Sequence, residues 1–183
     1  MTGSSRRRFL APEVLGEAVA EIAAIAKHEH VHAALIGGFA MQLYGSDRLT
    51  GDIDIAATER LQELPRGKRL SFGGEQTRAP NGVPVDLVLR SDDYAALYDE
   101  AIEKAGKLKG VFFPVARPEH LAAMKMVAGR TRDLSDLEFL ITSGTVDVRK
   151  AKDVIRRHLG VYAAGEFGLL VEEVRWKASR GRV

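Results

Sequence analysis

The chain has 183 residues and no cysteine, is 45% hydrophobic and 28% charged, and carries a formal net charge of +2. Those values exclude a disulfide scaffold, a thiol nucleophile and a cysteine-ligated zinc centre, and they fit a soluble chain in a reducing, cytoplasmic setting. A chain of this length buries roughly 70% of its unfolded surface and needs no cross-link to hold a core. No run reaches the roughly 18 uninterrupted apolar residues of a membrane helix, so no membrane partner is expected.

The chain opens with Ser5, Arg6, Arg7, Arg8, Phe9 and Leu10, a run similar to a twin-arginine export signal. Glu13, Glu17 and Glu21 interrupt what would have to be an apolar stretch, and export is rejected. The arginines here and the set Arg175, Lys177, Arg180 and Arg182 make both ends locally basic, compatible with phosphate contacts or with solvated termini.

Between 12 and 27, Val14, Leu15, Ala18, Val19, Ile22, Ile25 and Ala26 recur at threes and fours behind Pro12, which predicts an amphipathic helix. Residues 31–36 form an apolar run that ends at Gly37-Gly38, and 39–44 resume a helical pattern: strand, glycine turn, helix. Asp52 and Asp54 alternate with Ile53 and Ile55, which predicts a strand with both carboxylates on one face. Residues 68–77 and 83–90 read as two strands joined by the turn APNGVP, the second carrying Asp86 in an apolar setting. A helix capped by Ser91 runs to about 104, and GVFFPVA at 110–116 reads as a short strand. Helices follow at 118–128, 133–141, 146–159 and 166–178, with Tyr162 and Trp176 expected to pack between the last of them. The fold class is α/β (α+β): a core at 1–117 with its N-terminal helix, and a helical region at 118–183 packed on it. Among the histidines, His28, His30 and His32 lack ligand partners at metal spacing and read as a polar helix end.

Three carboxylates on neighbouring strands repel one another unless a hard cation neutralises them. Mg²⁺ fits, because it takes oxygen ligands and is commonly shared between carboxylates and substrate phosphates. Gly37 and Gly38 let backbone approach an anion closely. Each element has a bland alternative: a solvent-facing Asp pair, a strand-edge Asp86, a snorkelling Lys125, an N-cap at Asp133 with Asp136 in the first turn. It is their joint spacing that favours a site.

The succession of apolar-Gly37-Gly38, a helix, Gly45-x-x-Arg48-x-Thr50, Asp52-Ile53-Asp54 and then VPVDLV resembles the nucleotidyltransferase superfamily that includes DNA polymerase beta. HLAAMKMVAGRTRDLSDLEFLI is similar, more narrowly, to the last motifs of the AbiEii-like toxin nucleotidyltransferases. The likeness runs from about Val31 to Ile141, and Gly38 and Arg132 depart from a frequent serine and a frequent lysine. It implies a nucleotidyltransferase fold with a short mixed sheet flanked by helices and followed by a helical bundle. It places Asp52, Asp54 and Asp86 at metal positions (Mg²⁺, with Mn²⁺ as the alternative ion) and Gly37, Gly38, Arg48 and Thr50 at the nucleotide. Lys125 and Asp133 fall near the nucleotide phosphates, and Asp136 joins Lys125 and the metal aspartates as a catalytic position.

The implied activity is transfer of an NMP from an NTP to an acceptor hydroxyl. The implied partners are an RNA acceptor, with the tRNA 3′ end foremost, and a cognate antitoxin protein. Two other readings stay open. One is an aminoglycoside-type transferase, with Asp92, Asp93, Asp99 and Glu100 supplying an acidic acceptor pocket; the other is a catalytically inactive binding partner.

Overall fold

The computed structural model describes residues 9–180, so Arg6, Arg7, Arg8 and Arg182 lie outside the described residues. The elements are α1 (Pro12–His28), β1 (Ala33–Ile36), α2 (Gly37–Leu43), β2 (Ile53–Ala57), β3 (Lys68–Arg69), β4 (Gly74–Arg78), β5 (Pro84–Val88), α3 (Ala95–Glu103), α4 (Pro118–Ala128), α5 (Thr131–Thr142) and α6 (Val148–Arg180). The strands make one mixed sheet in the order β1-β2-β5-β4-β3, in which β2 and β5 run parallel and every other neighbouring pair antiparallel.

Alternation along the strands separates the two faces of this sheet. Ile53 and Ile55 of β2, Val85 and Leu87 of β5, and Glu75 and Thr77 of β4 are buried on one face, while Asp54, Asp86 and Gln76 stand on the other. Apolar residues from α1, α2, β1, β2, β5 and α3 through α6 join in one core cluster, so the helical half and the sheet half share their interior. Pro118 starts α4 at its first turn, and Gly129 ends it in the left-handed conformation at φ 60°. The chain then turns directly into α5, whose Asp133 accepts the backbone N–H of Arg130 at 3.2 Å and is held by the Arg130 side chain.

Several expectations are corrected. The strand expected at 68–77 is two short pieces, because Ser71-Phe72-Gly73 forms a tight turn in which Gly73 N–H donates to Leu70 O at 3.3 Å. Residues 110–116 supply no strand: Pro114 lacks the donor for a ladder, and only Val115 bridges, to Leu35 and to Gly106. Ser91 does not cap α3; Asp92 instead accepts the Tyr94 N–H at 3.2 Å just ahead of the helix. The last two helices are present as two helical segments of α6 that meet at Gly160, whose φ 91° and ψ 175° are non-helical, so the break falls where the first was expected to end and the second begins earlier than expected. Tyr162 and Trp176 do not pack between helices, being 89% and 54% exposed, and Trp176 stacks under the Arg180 guanidinium at 4.2 Å. Among the described residues no helix is long and apolar enough to cross a membrane.

The buried anchor of α6 is Phe167, which is fully buried. Phe167→Ala is expected to lower unfolding free energy by about 3–5 kcal/mol in urea titration. Tyr162→Ala, on the same helix, should change it by no more than about 0.5 kcal/mol. Equal effects would show that α6 is not part of the cooperative core.

Candidate active site

A cleft of about 350 Å³ opens on the polar face of the sheet, between the ends of β2 and β5 and the helices α4 and α5. Asp52, Asp54 and Asp86 line it from one side, Gly37 and Gly38 from the β1–α2 turn, and Arg48, Lys125, Arg130, Arg132 and Asp133 from the other. The parallel pairing of β2 with β5 sets Asp54 directly opposite Asp86. Like charges so placed raise each other's cost of ionisation. Burial, then the charges of Asp52 and Asp86, push the Asp54 pKa from 3.8 up to about 6.

Each aspartate is oriented by a neutral donor. Thr50 Oγ1 donates to Asp52 Oδ1 at 2.7 Å, Gln76 Nε2 to Asp86 Oδ1 at 2.9 Å, and Gly38 N–H to Asp54 Oδ2 at 3.3 Å. Among the described residues no group of three His, Asp or Glu side chains is arranged to hold a metal ion by itself. The donor set still fits a hard cation: it is all oxygen, carries uncompensated negative charge around Asp54, and leaves the remaining coordination positions to substrate phosphates and water.

The glycines are imposed by what faces them. Gly37 has φ +67°, and a Cβ there would lie 1.9 Å from Asp54 Oδ2. A Cβ on Gly38 would meet Thr50 Oγ1 at 2.9 Å and Thr50 Cβ at 3.1 Å. This accounts for the absence of the serine frequent in the resembling sequences: buried Thr50 already presents a hydroxyl against that turn.

On the opposite wall, the turn at Gly129 brings Lys125 onto α5. Its Nζ lies 2.6 Å from Asp136 Oδ2 and 3.1 Å from Asp133 Oδ1, with all three side chains buried. Arg48, from the loop ahead of β2, also pairs with Asp136. Asp133 is therefore neither an N-cap nor solvent-facing; it is the third residue of α5 and accepts from Arg130 Nε at 2.6 Å. Burial opposes its ionisation, but the Arg130 and Lys125 hydrogen bonds and charges outweigh that and hold its pKa below the usual carboxylate range. Thr50 and Asp136 do not line the cleft; they act on it through Asp52 and through Arg48 and Lys125.

Sequence reasoning missed Gln76, Arg130 and the aromatic lining from Phe72 and Tyr98. Counting outward from the APNGVP turn would have set Gln76 against Asp86. The acidic pocket expected from Asp92, Asp93, Asp99 and Glu100 does not form: none of them lines the cleft. Asp92 pairs with Arg90 at 3.0 Å, and Glu100 is held by Lys104, Arg157 and His158 at 2.6, 2.7 and 2.5 Å.

No family model matches the chain, and no curated protein matches it. Among solved structures it is similar to the antibiotic-resistance factor ANT(2'')-Ia, at 17% identity and a TM-score of 0.56 over 85% of this chain and 97% of that one. It is also similar to an antigenic nucleotidyltransferase-like protein from Paracoccidioides brasiliensis, at 14% identity and a TM-score of 0.51 over 90% of this chain and 95% of that one. Likeness at such identities is a likeness of backbone, and by it the chain has the nucleotidyltransferase-like fold.

Proposed function

We propose that the chain is a divalent-cation-dependent nucleotidyltransferase that moves an NMP from an NTP to an acceptor hydroxyl. The observation that carries this reading is the opposition, across one cleft, of a three-aspartate face and a cationic wall of Arg48, Lys125 and Arg130. In the reaction the acceptor oxygen bonds to the α-phosphorus, the bond from that phosphorus to the bridging oxygen of pyrophosphate breaks, and the hydroxyl proton leaves. Asp86 takes that proton on the oxygen that Gln76 does not hold. Lys125 and Arg130 offset charge on the phosphates, and Arg48 and Asp136 fix the position of Lys125. Asp52 and Asp54, with Asp86 beside them, would hold Mg²⁺, or Mn²⁺ in its place. When bound, the ion supplies a counter-charge for the phosphates and lowers the pKa of a coordinated hydroxyl.

The acceptor has two readings. The toxin motifs around Lys125 and Asp136 favour RNA, with the tRNA 3′ end foremost, and they carry the suggestion of an antitoxin partner. The likeness to ANT(2'')-Ia favours a small hydroxylated antibiotic.

Incubation with α-labelled NTPs and Mg²⁺, with total RNA and aminoglycosides as parallel acceptors, tests the proposal. Label should enter one acceptor pool, and Asp86→Asn should slow its entry by about 10²–10⁴-fold, the usual contribution of a general base. Transfer that survives in both Asp54→Asn and Asp86→Asn would overturn it.

The raised Asp54 pKa has a consequence for stability. Since its folded value lies above 3.8, the folded chain keeps a proton between about pH 4 and 6 that the unfolded chain has released. Metal-free protein therefore loses stability as pH rises through that window, by about 3 kcal/mol. In chelator at about pH 7.5, Asp54→Asn should melt about 6–12 °C above wild type, and the gap should close near pH 4. Mg²⁺ should raise the wild-type melting temperature and leave the variant nearly unchanged. Equal shifts in both proteins would remove Asp54 from the cation site.

A further inference from the structure

The polar face of the sheet changes sign along one row. Register aligns Asp54 of β2 with Asp86 of β5, Asp86 with Gln76 of β4, and Gln76 with Lys68 of β3. Residues in register project from the same face, so a carboxylate centre grades through an amide into a cation at the sheet edge. Arg78, two residues along β4 from Gln76, stands opposite Pro84 in the adjoining row. A groove of about 870 Å³ follows this face, lined among others by Asp52, Gln76, Arg66 and Arg78 and sharing Asp52 with the candidate active site. Among the described residues Asp52 is the one carboxylate in its lining.

The cations of this surface are uncommitted. Arg66, Lys68 and Arg78 are exposed and none forms an ion pair with a described carboxylate. Arg78 uses one guanidinium nitrogen on the Gly82 carbonyl at 2.9 Å, which fixes the side chain without neutralising it. Arg60, by contrast, is spent on Glu75 at 2.6 Å, on the buried face. Exposed arginine and lysine with no carboxylate partner leave a positive field on this part of the face, which a polyanion can use.

We infer that this groove, with the sheet face beside it, is the acceptor track and that the acceptor is a polynucleotide strand, its 3′-hydroxyl at Asp86 in the neighbouring cleft, its backbone phosphates on Arg78 and Arg66 in the groove and on Lys68, which lies outside the groove lining at the sheet edge. Lys68 stands two strands from Asp86, roughly 10 Å. That span takes in successive phosphates, which recur about every 3.4 Å along a stacked strand. A polycationic acceptor such as an aminoglycoside is repelled by the same residues. The inference rests on the nucleotidyl-transfer reading for the role of the hydroxyl, but the binding surface stands or falls separately.

The test titrates fluorescein-labelled single-stranded oligonucleotides with a free 3′-hydroxyl, RNA in one arm and DNA in the other, onto the full-length chain without NTP across a salt series. Binding should weaken with salt, and the double variant Lys68→Glu/Arg78→Glu should weaken it at least about tenfold at low salt. Lys68→Gln and Arg78→Gln, which spare the fold if the reversals do not, should each reduce the salt slope by about 0.7. Lys109→Glu, exposed in the loop after α3, should leave binding unchanged. Tighter binding in one arm names the strand as RNA or DNA. Variants that bind as wild type, a wild type that binds neither strand, or an equal loss in Lys109→Glu would overturn the track. If the track variants behave as expected while no acceptor takes label, nucleotidyl transfer fails and the track stands. If an aminoglycoside takes label and no strand binds, nucleotidyl transfer stands and the track fails.

Discussion

Two buried carboxylates hold the cationic wall of the cleft together. Asp133 and Asp136 stand on α5 one turn apart, and between them they engage Lys125 of α4, Arg130 of the connecting turn and Arg48 of the loop that feeds β2. Removing one partner from a buried ionic network costs about 3–5 kcal/mol, because a charge is left unpaired away from water. The network therefore fixes the angle between α4 and α5 and ties both helices to the loop carrying Thr50. Through Thr50 the same constraint reaches Asp52 at 2.7 Å. Asp136 has no lining position in the cleft, yet it links its two sides.

The opposite wall is held by the sheet. A parallel β2–β5 pair is what sets Asp54 against Asp86, and a one-residue slip of register would carry both into the apolar face. Ile53, Ile55, Val85 and Leu87, fully buried behind them, prevent that slip. Burial, with the repulsion from Asp52 and Asp86, lifts the Asp54 pKa to about 6, and core packing holds both in the site. Under the proposed function a divalent cation would relieve that repulsion, although among the described residues no three side chains enclose one.

Much of this was legible in the residue pattern, for a physical reason. Period-2 alternation around Asp52, Asp54 and Asp86 announced strands, and the fourfold spacing in α1 announced a helix, because in both cases one face is buried and the other is not. Their spacing of 11 residues would put Lys125 and Asp136 on one face of an unbroken helix, but it is the turn at Gly129, which folds α5 back on α4, that brings them together. What stayed hidden depends on contacts distant in sequence. Tyr162 and Trp176 look like core residues by type, but the α6 positions that face inward are Ala164, Phe167, Val171 and Val174. Glu100 looked like a free acid until Arg157 and His158, more than fifty residues on, closed over it. Gly38 departs from a frequent serine, and only the approach of Thr50 shows that a side chain there would have to displace it.

The sheet face also bears on how a strong negative centre and an anionic reactant can coexist. Asp52, Asp54 and Asp86 alone would repel any phosphate that approached. The face resolves this by position. Lys125, Arg130 and Arg48 stand across the cleft, and Arg78, Lys68 and Arg66 stand along the sheet toward its edge. Two cationic zones flanking one acidic line give two directions from which phosphate-bearing molecules can meet at the aspartates. Gln76 marks the crossing between acid and base, bonded to Asp86 on one side and in register with Lys68 on the other. A neutral amide there leaves Asp86 without a fixed cationic partner, which suits the role proposed for it as proton acceptor.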